Sequence, residues 1–391
     1  MQPQTTLPFD ILAYTIDILA AEDEGDEDIK SLQMLSGTCK LMVPLCRRHL
    51  FSSLNLLTKS QSERFGAVLF RNPNIARYVR SLKYDIYDPI NDHEPKILDL
   101  LKERSSSLQS IALSSHQGFD WNELPLSIQS SLVFLIQLRS VTHLQIQCFR
   151  NFPSTALALC HNLIFLGIAE LEVAPPAIGQ VISRSNIPAP VTIFARTNAY
   201  DGLAVLMTSP SAQAGPLVDF SRLQQMSFHV DSSGDIGHIG QLLKATTQLQ
   251  SLNITSYLPL DLAGLGTSLM VNAYRTLRSV ALGIVVRGND SERLCGLSGE
   301  LRSLSGNNIL QEFELNVVIA PGRTETEEWA AIDWLLTESG AFPMLHRVSI
   351  EIRWSSDGRE VPAIDDILGS LTKERFPRLV ESTVVEFNFY P

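Results

Sequence analysis

Cys39, Cys46 and His49 come closest in this chain to the residue types and spacing of a metal site. The two cysteines are seven apart and share nearly one helix face, and the histidine follows three residues on. Zinc needs three or four ligands within close reach. No fourth ligand stands nearby, and thiols packed in a helix core account for the pair without a metal. Ser114, Ser115, His116 and Asp120 bring hydroxyl, imidazole and carboxylate into one stretch. Catalytic triads are assembled by folding rather than adjacency, and a Gly-x-Ser-x-Gly elbow is absent. His93 and Glu94, with Asp88 and Asp92, read as a polar loop. The run Gly234-Asp235-Ile236-Gly237-His238-Ile239-Gly240 lacks the spacing of a nucleotide-binding loop and reads as a loop entering a helix. Gly264-Leu265-Gly266 reads the same way. Glu325, Glu327 and Glu328 precede Trp329 and place acid in a first helical turn, where it offsets the helix dipole. These residues predict no catalytic centre, no metal and no cofactor.

The elements that hold these residues follow a recurring pattern, apolar-x-x-apolar-x-apolar. It runs through Val79-Leu82-Tyr84, Leu108-Ile111-Leu113, Val141-Leu144-Ile146 and Leu163-Leu166-Ile168. It returns in Leu223-Met226-Phe228, Leu249-Leu252-Ile254, Leu277-Val280-Leu282, Leu310-Phe313-Leu315 and Leu345-Val348-Ile350. Helical segments lie between the copies, at Thr155–Cys160, Ile236–Thr246 and Trp329–Leu336. Such spacing predicts stacked strand–helix units, none able to bury its apolar face alone. Pro190-Val191-Thr192-Ile193-Phe194 reads as a degenerate strand in the long gap after Leu163. Residues 172–190 and 207–216 read as loops, and 286–308 as a loop with a short helix. Val384–Phe389 reads as a closing strand over an otherwise open edge.

Composition bounds the reading. The 391 residues are ample for a large core, and 45% of them are hydrophobic. Lys and Arg number 31 against 42 Asp and Glu, for a net charge of −11. A protein tracking a phosphate backbone needs clustered cations, so nucleic acid is not an expected partner. Five widely spaced cysteines argue against a disulfide framework. No signal segment and no membrane span is read, which predicts a cytoplasmic or nuclear location.

The front of the chain differs from the rest. Leu7-Pro8 starts a helix that continues through Ile11, Leu12, Ile16 and Leu19. The run Glu22-Asp23-Glu24-Gly25-Asp26-Glu27-Asp28 reads as a solvated break, since no core accepts so many carboxylates. A second helix is expected over Ile29–Leu35, a third over Thr38–Phe51, and a further one within 61–77, ending at Asn72-Pro73.

Leu7-Pro8-Phe9-Asp10-Ile11-Leu12, followed by Cys39-Lys40, Val43-Pro44-Leu45 and Arg48-His49-Leu50-Phe51, resembles an F-box. An F-box followed by irregular leucine-rich repeats is the layout of large fungal families of F-box-like proteins. The resemblance covers about 45 residues as a motif, and the rest of the chain as a generic repeat. It implies an α/β chain: an F-box-like three-helix unit over 1–56, a helical linker over 57–77, and an irregular leucine-rich-repeat solenoid with a curved parallel sheet over 78–391. It further implies that Leu7, Pro8, Ile11 and Leu12 contact a Skp-type adaptor. Leu32, Leu35, Cys39, Val43, Leu45 and Leu50 would divide between core and interface. The adaptor would link the chain to a cullin–RING ubiquitin ligase, and the repeats would present a protein substrate. The acidic run 22–28 is longer than the usual link in a compact F-box. The competing reading is an adaptor-independent repeat scaffold whose first helix is only a cap.

For the substrate side, Trp121, Trp329, Trp334 and Trp354 are candidate anchors. Arg275, Arg278, Arg287 and Arg353 are a candidate phosphate-accepting set. Trp354, Arg353 and Arg287 are the expected substrate contacts.

Overall fold

The computed structural model of the chain describes residues 9–21, 26–87, 93–176, 187–196, 198–208, 215–286, 294–306, 308–319, 327–354 and 372–390. It divides into two compact units, Met1–Arg150 and Asn151–Pro391.

The first unit opens with three helices, α1 (Phe9–Ala21), α2 (Asp26–Thr38) and α3 (Met42–Leu50). Strands and helices then alternate: β1 (Ser53–Leu56), α4 (Lys59–Arg71), β2 (Ser81–Ile86), α5 (Glu94–Arg104), β3 (Ser110–Asp120), α6 (Leu126–Ile136) and β4 (His143–Pro153), whose end reaches the second unit. In the second unit come α7 (Ser154–Ala158), β5 (Phe165–Ala174), β6 (Thr192–Arg196), α8 (Tyr200–Met207), β7 (Gln225–Val230), α9 (Ser233–Ala245) and β8 (Ser251–Ser256). They are followed by α10 (Leu265–Asn272), β9 (Ser279–Val286), α11 (Leu297–Leu304), β10 (Glu312–Ile319), α12 (Glu327–Thr337), β11 (Arg347–Trp354), α13 (Pro377–Glu381) and β12 (Glu386–Tyr390). Within each unit the strands pair in parallel and in chain order. The protein is therefore an α/β parallel-sheet array. Among the described residues, no helix is long and apolar enough to cross a membrane.

The nine apolar triplets explain the sheet. Their last two positions are two residues apart and so point to one side of a strand. None of the nine has a side chain more than 4% exposed. Register stacks them: Leu82 on Ile111 on Leu144 in the first unit, and Met226 on Leu252 on Val280 on Phe313 on Val348 in the second. Each such side chain contributes roughly 1.5–3 kcal/mol of transfer free energy. The residue just before each strand adds a backbone clamp. The Gln250 carbonyl accepts the N–H groups of Arg278 (2.8 Å) and Ser279 (3.0 Å), and the Arg278 carbonyl accepts those of Gln311 (2.8 Å) and Glu312 (3.0 Å). Arg80 and Gln109 do the same in the first unit.

The helices of the second unit are tied by carboxylates reaching to a neighbour's first turn. Glu300 on α11 accepts from the N–H groups of Gly264 (3.1 Å) and Gly266 (2.6 Å), at the start of α10. Glu328 on α12 accepts from the N–H groups of Leu294 and Ser298 (3.1 Å) and from the Ser298 hydroxyl (3.0 Å), at the start of α11. Asp333, also on α12, accepts from the N–H groups of Arg378 (3.1 Å) and Leu379 (2.9 Å) on α13. The first N–H groups of a helix lack partners within it, and the dipole there favours an anion. Glu328 thus serves the neighbouring helix and not only the dipole of its own. The helices also approach closely: a Cβ on Gly266 would lie 2.4 Å from the Glu300 carbonyl oxygen.

Several boundaries differ from the sequence reading. Helix α2 begins at Asp26, three residues inside the acidic run, since acids are favoured in a first turn. The rest of that run, residues 22–25, lies outside the described residues. Strand β1, inside the segment read as a purely helical domain, pairs with β2 through Leu54–Leu82 and Leu56–Tyr84, so the sheet begins at Ser53. The degenerate strand is real: β6 buries Ile193 and Ala195 between β5 and β7. Strand β12 pairs with β11 as expected of a closing strand. Of the expected loops, 177–186, 209–214 and 287–293 lie outside the described residues, while 172–174 belongs to β5.

Candidate protein-docking surface

Helix α1 carries apolar residues on both sides. Leu12, Ala13, Ile16 and Ala20 turn inward onto a small core of Ile16, Leu32, Leu45 and Cys46, which Leu35, Met42 and Leu50 also touch. Ile11, Tyr14 and Ile18 recur at three and four residues, which sets them on the opposite side. Ile11 is 49% exposed and Tyr14 67%, and Phe9 and Ile18 are also exposed. A helix apolar all round is normally a buried one. On the neighbouring segments Ile29, Met34 and Leu41 are exposed too. Asp17, one of only two charged residues in α1, ties it to α3 by pairing with Arg48 and with His49 Nε2 at 2.8 Å. The back of α1 is thus fixed, and its front is an apolar stripe exposed among the described residues.

The residues expected at an adaptor contact fall into three groups. Ile11 is on the outward stripe. Leu12 and Leu35 are half-buried against the core, Val43 is half-buried, and Leu32 and Leu45 are inside it. Those last two are core residues rather than contacts, because the stripes of three helices meet there. Leu7 and Pro8 lie outside the described residues. Cys39 is exposed, and Leu50 packs on the core. Tyr14, Ile18 and Met34 went unread in the sequence, although the Ile11–Tyr14–Ile18 spacing is a legible second stripe.

The clusters that resembled chemistry resolve into structure. Cys46 is buried, and burial raises its thiol pKa. Cys39 is exposed and His49 is engaged by Asp17. No group of three or more metal-ligating side chains is found among the described residues. Ser114 Oγ donates to Asp85 Oδ1 at 3.1 Å, and His116 Nε2 lies 3.2 Å from Asp85 Oδ2. The carboxylate sits between serine and histidine, so the imidazole does not touch the hydroxyl it would have to deprotonate. Glu94 is not in a loop. It begins α5, is buried, and accepts from the hydroxyls of Tyr84 (2.7 Å) and Tyr87. Burial, then Glu94, pushes the Tyr87 hydroxyl up to about 12. These phenols remain donors at neutral pH and keep the buried acid satisfied.

Of the expected substrate contacts, only Arg353 has its side chain among the described residues. Arg353 Nε donates to Glu351 Oε1 at 2.7 Å. Arg287 and the Trp354 side chain lie outside the described residues. Arg278 sits level with His346 in the register, seven residues from Arg353 along β11. At about 3.3 Å per residue the two guanidinium-bearing positions are roughly 23 Å apart along the sheet, too far to share one phosphate. Arg275 stacks on Tyr274. Trp121 packs edge-on against Phe149, and Trp329 against Phe376. Both tryptophans are buried core residues, while Trp334 is partly exposed.

No protein-family model matches the sequence, and no curated protein matches it.

Proposed function

We propose that this chain is a non-catalytic receptor that docks a Skp-type adaptor through its N-terminal helices and presents a protein target on its repeat array. Through the adaptor it would join a cullin–RING ubiquitin ligase, with ubiquitin transfer carried out by the partners. The array is taken as an irregular leucine-rich-repeat solenoid and the N-terminal helices as an F-box-like unit. The observation that carries the reading is the outward stripe Ile11–Tyr14–Ile18 on a helix already packed by its other side. An exposed apolar patch of this kind asks for a protein partner, and the F-box-like residues at the same place favour a Skp-type adaptor. The alternative, an adaptor-independent scaffold, leaves that stripe without a purpose.

The test is capture of the purified full chain on an immobilised Skp-type adaptor, beside Ile11→Asp and Tyr14→Asp variants. Capture of the wild type and loss in both variants supports the receptor. Failure of the wild type to bind overturns it and leaves the scaffold.

A further inference from the structure

On one face of the second unit's sheet, strands β6 to β8 bring a group of aromatic rings together. In β6 and β7 the residues Ile193, Ala195, Met226, Phe228 and Val230 are buried on the helix side. Alternation puts Phe194, Arg196, Ser227 and His229 on the other. There the Phe194 and His229 rings lie 5.9 Å apart, and the His229 and Tyr257 rings 5.5 Å apart, both pairs tilted. Tyr257 OH is 3.4 Å from His229 Nε2 and the tyrosine is 56% exposed. His229 Nδ1 is shielded from solvent and has no hydrogen-bond partner among the described residues. Beside this wall the surface drops. Thr255 lies opposite His229 in the register and Gly283 opposite Thr255. A Cβ on Gly283 would come within 2.9 Å of Thr255 Cγ2, so the glycine keeps the step low.

Charge gives the shelf a polarity. Arg196 is exposed at its rim and makes no ion pair among the described residues. The acid that faces His229, Asp231, is only half-exposed. Its field also reaches the buried Tyr200 hydroxyl, on the helix side. By contrast, Arg347 and Arg353 on β11 are already paired with Glu312, Glu386 and Glu351.

We propose that Phe194, Arg196, His229 and Tyr257 form the target-binding site of the array, taking a peptide segment that carries an aromatic side chain beside a carboxylate. The aromatic ring lies on the Thr255–Gly283 step against His229 and Tyr257, where ring pairs add to the free energy of area burial. The carboxylate meets the Arg196 fork, which suits it bidentately. Burial, and secondarily Arg196, lowers the pKa of His229, so the ring is a neutral, largely apolar wall at neutral pH. The proposal deepens the receptor reading by naming the chemistry of its cargo, and in that sense rests on it.

The probe is a fluorescein-labelled Gly-Ser peptide with a central Asp-Tyr pair, titrated with the full chain and followed by anisotropy. The expected result is saturable binding that weakens by about tenfold or more in the Arg196→Gln and Tyr257→Ser variants, and with an Asn-Tyr peptide. Both variants change exposed side chains, and unaltered circular dichroism and melting separate lost binding from lost folding. No saturation up to about 1 mM, a range that already corresponds to weak binding, overturns the site. So does equal binding by either variant, or tighter binding of a Lys-Tyr peptide. Adaptor capture is scored on the same samples. Peptide binding without adaptor capture sinks the receptor but keeps the site. Adaptor capture without peptide binding sinks the site alone.

Discussion

In the second unit, helices α10, α11 and α13 each begin on a carboxylate from a neighbouring helix, and the strand triplets beneath them are buried. Helix α1 rests on a core of four buried residues and turns four large apolar side chains, Phe9, Ile11, Tyr14 and Ile18, to solvent. A stacked unit finds its missing contacts in the next unit, so these helix starts and the triplets beneath them are satisfied within the unit. Among the described residues, Ile11, Tyr14 and Ile18 stay exposed on their side of α1. The difference separates a surface built for stability from one that needs something outside the chain.

If the second unit depends on close, saturated helix contacts, its tightest contact is the most fragile. Gly266→Ala puts a Cβ 2.4 Å from the Glu300 carbonyl oxygen, which is backbone and cannot rotate away. The expected loss is about 3 kcal/mol, in the upper range for overpacking, read as a lower urea midpoint at unchanged slope. Gly237→Ala in α9, where nothing lies within 4 Å, is the control. It should be neutral or stabilising by about 0.5–1 kcal/mol. Equal loss in both would mean that helix propensity, not the approach to α11, governs.

The small core under α1 should respond next. Leu32→Ala removes a side chain only 4% exposed, at an expected cost of about 2–3 kcal/mol. Ile11→Asp changes a residue that is exposed on the outward side of α1 and should move stability by no more than about 0.5 kcal/mol. Comparing the two by melting and adaptor capture sharpens the contrast, because only the exposed change should abolish capture without unfolding. A large stability loss in Ile11→Asp would show that the stripe is core after all. For the lent carboxylates, Glu328→Ala frees two N–H groups and a hydroxyl at the start of α11. A loss of about 1–2 kcal/mol is expected, since unpaired buried donors lose their solvation.

Much of this was legible in the residues. The triplet Leu252-x-Ile254 with Leu249 ahead of it states a strand entering from a turn, and its repetition states the stacking. Residues 190–194 were readable as a strand only because the gap was too long, and Ala195, a weak apolar signal, lies past that stretch. Strand β1 was hidden because Ser53-Leu54-Asn55-Leu56 is too short to show a period. Its identity comes from pairing with Ser81–Tyr84, a contact no local pattern carries. The site residues fared worse for the same reason. Phe194, His229 and Tyr257 are dozens of residues apart, and only register brings their rings together. Arg353 is not a free cation: Glu351, two residues away on the same strand face, accepts from its Nε.

The smallest expected effect tests whether the lent carboxylates belong to the folded state alone. Asp333 is buried against the first turn of α13. Burial raises its pKa above the ordinary aspartate range, and the N–H groups of Leu379 and Arg378 and the Arg378 charge oppose the rise without cancelling it. A carboxyl with a higher pKa folded than unfolded binds more proton in the native state between the two values. Unfolding free energy must then fall as pH rises through that window, and level off above the folded value. The usual ion-paired carboxylate gives the reverse slope. Asp333→Asn keeps an oxygen acceptor for Leu379 and removes the titration, so urea midpoints measured from about pH 4, the ordinary aspartate range, upward should lose this falling component relative to wild type. If the variant instead loses a rising component, Asp333 is held ionised by its N–H partners. Its link to α13 would then be an ion–dipole contact of the same strength class as Glu328, and the contrast with α1 would rest on charge as well as packing.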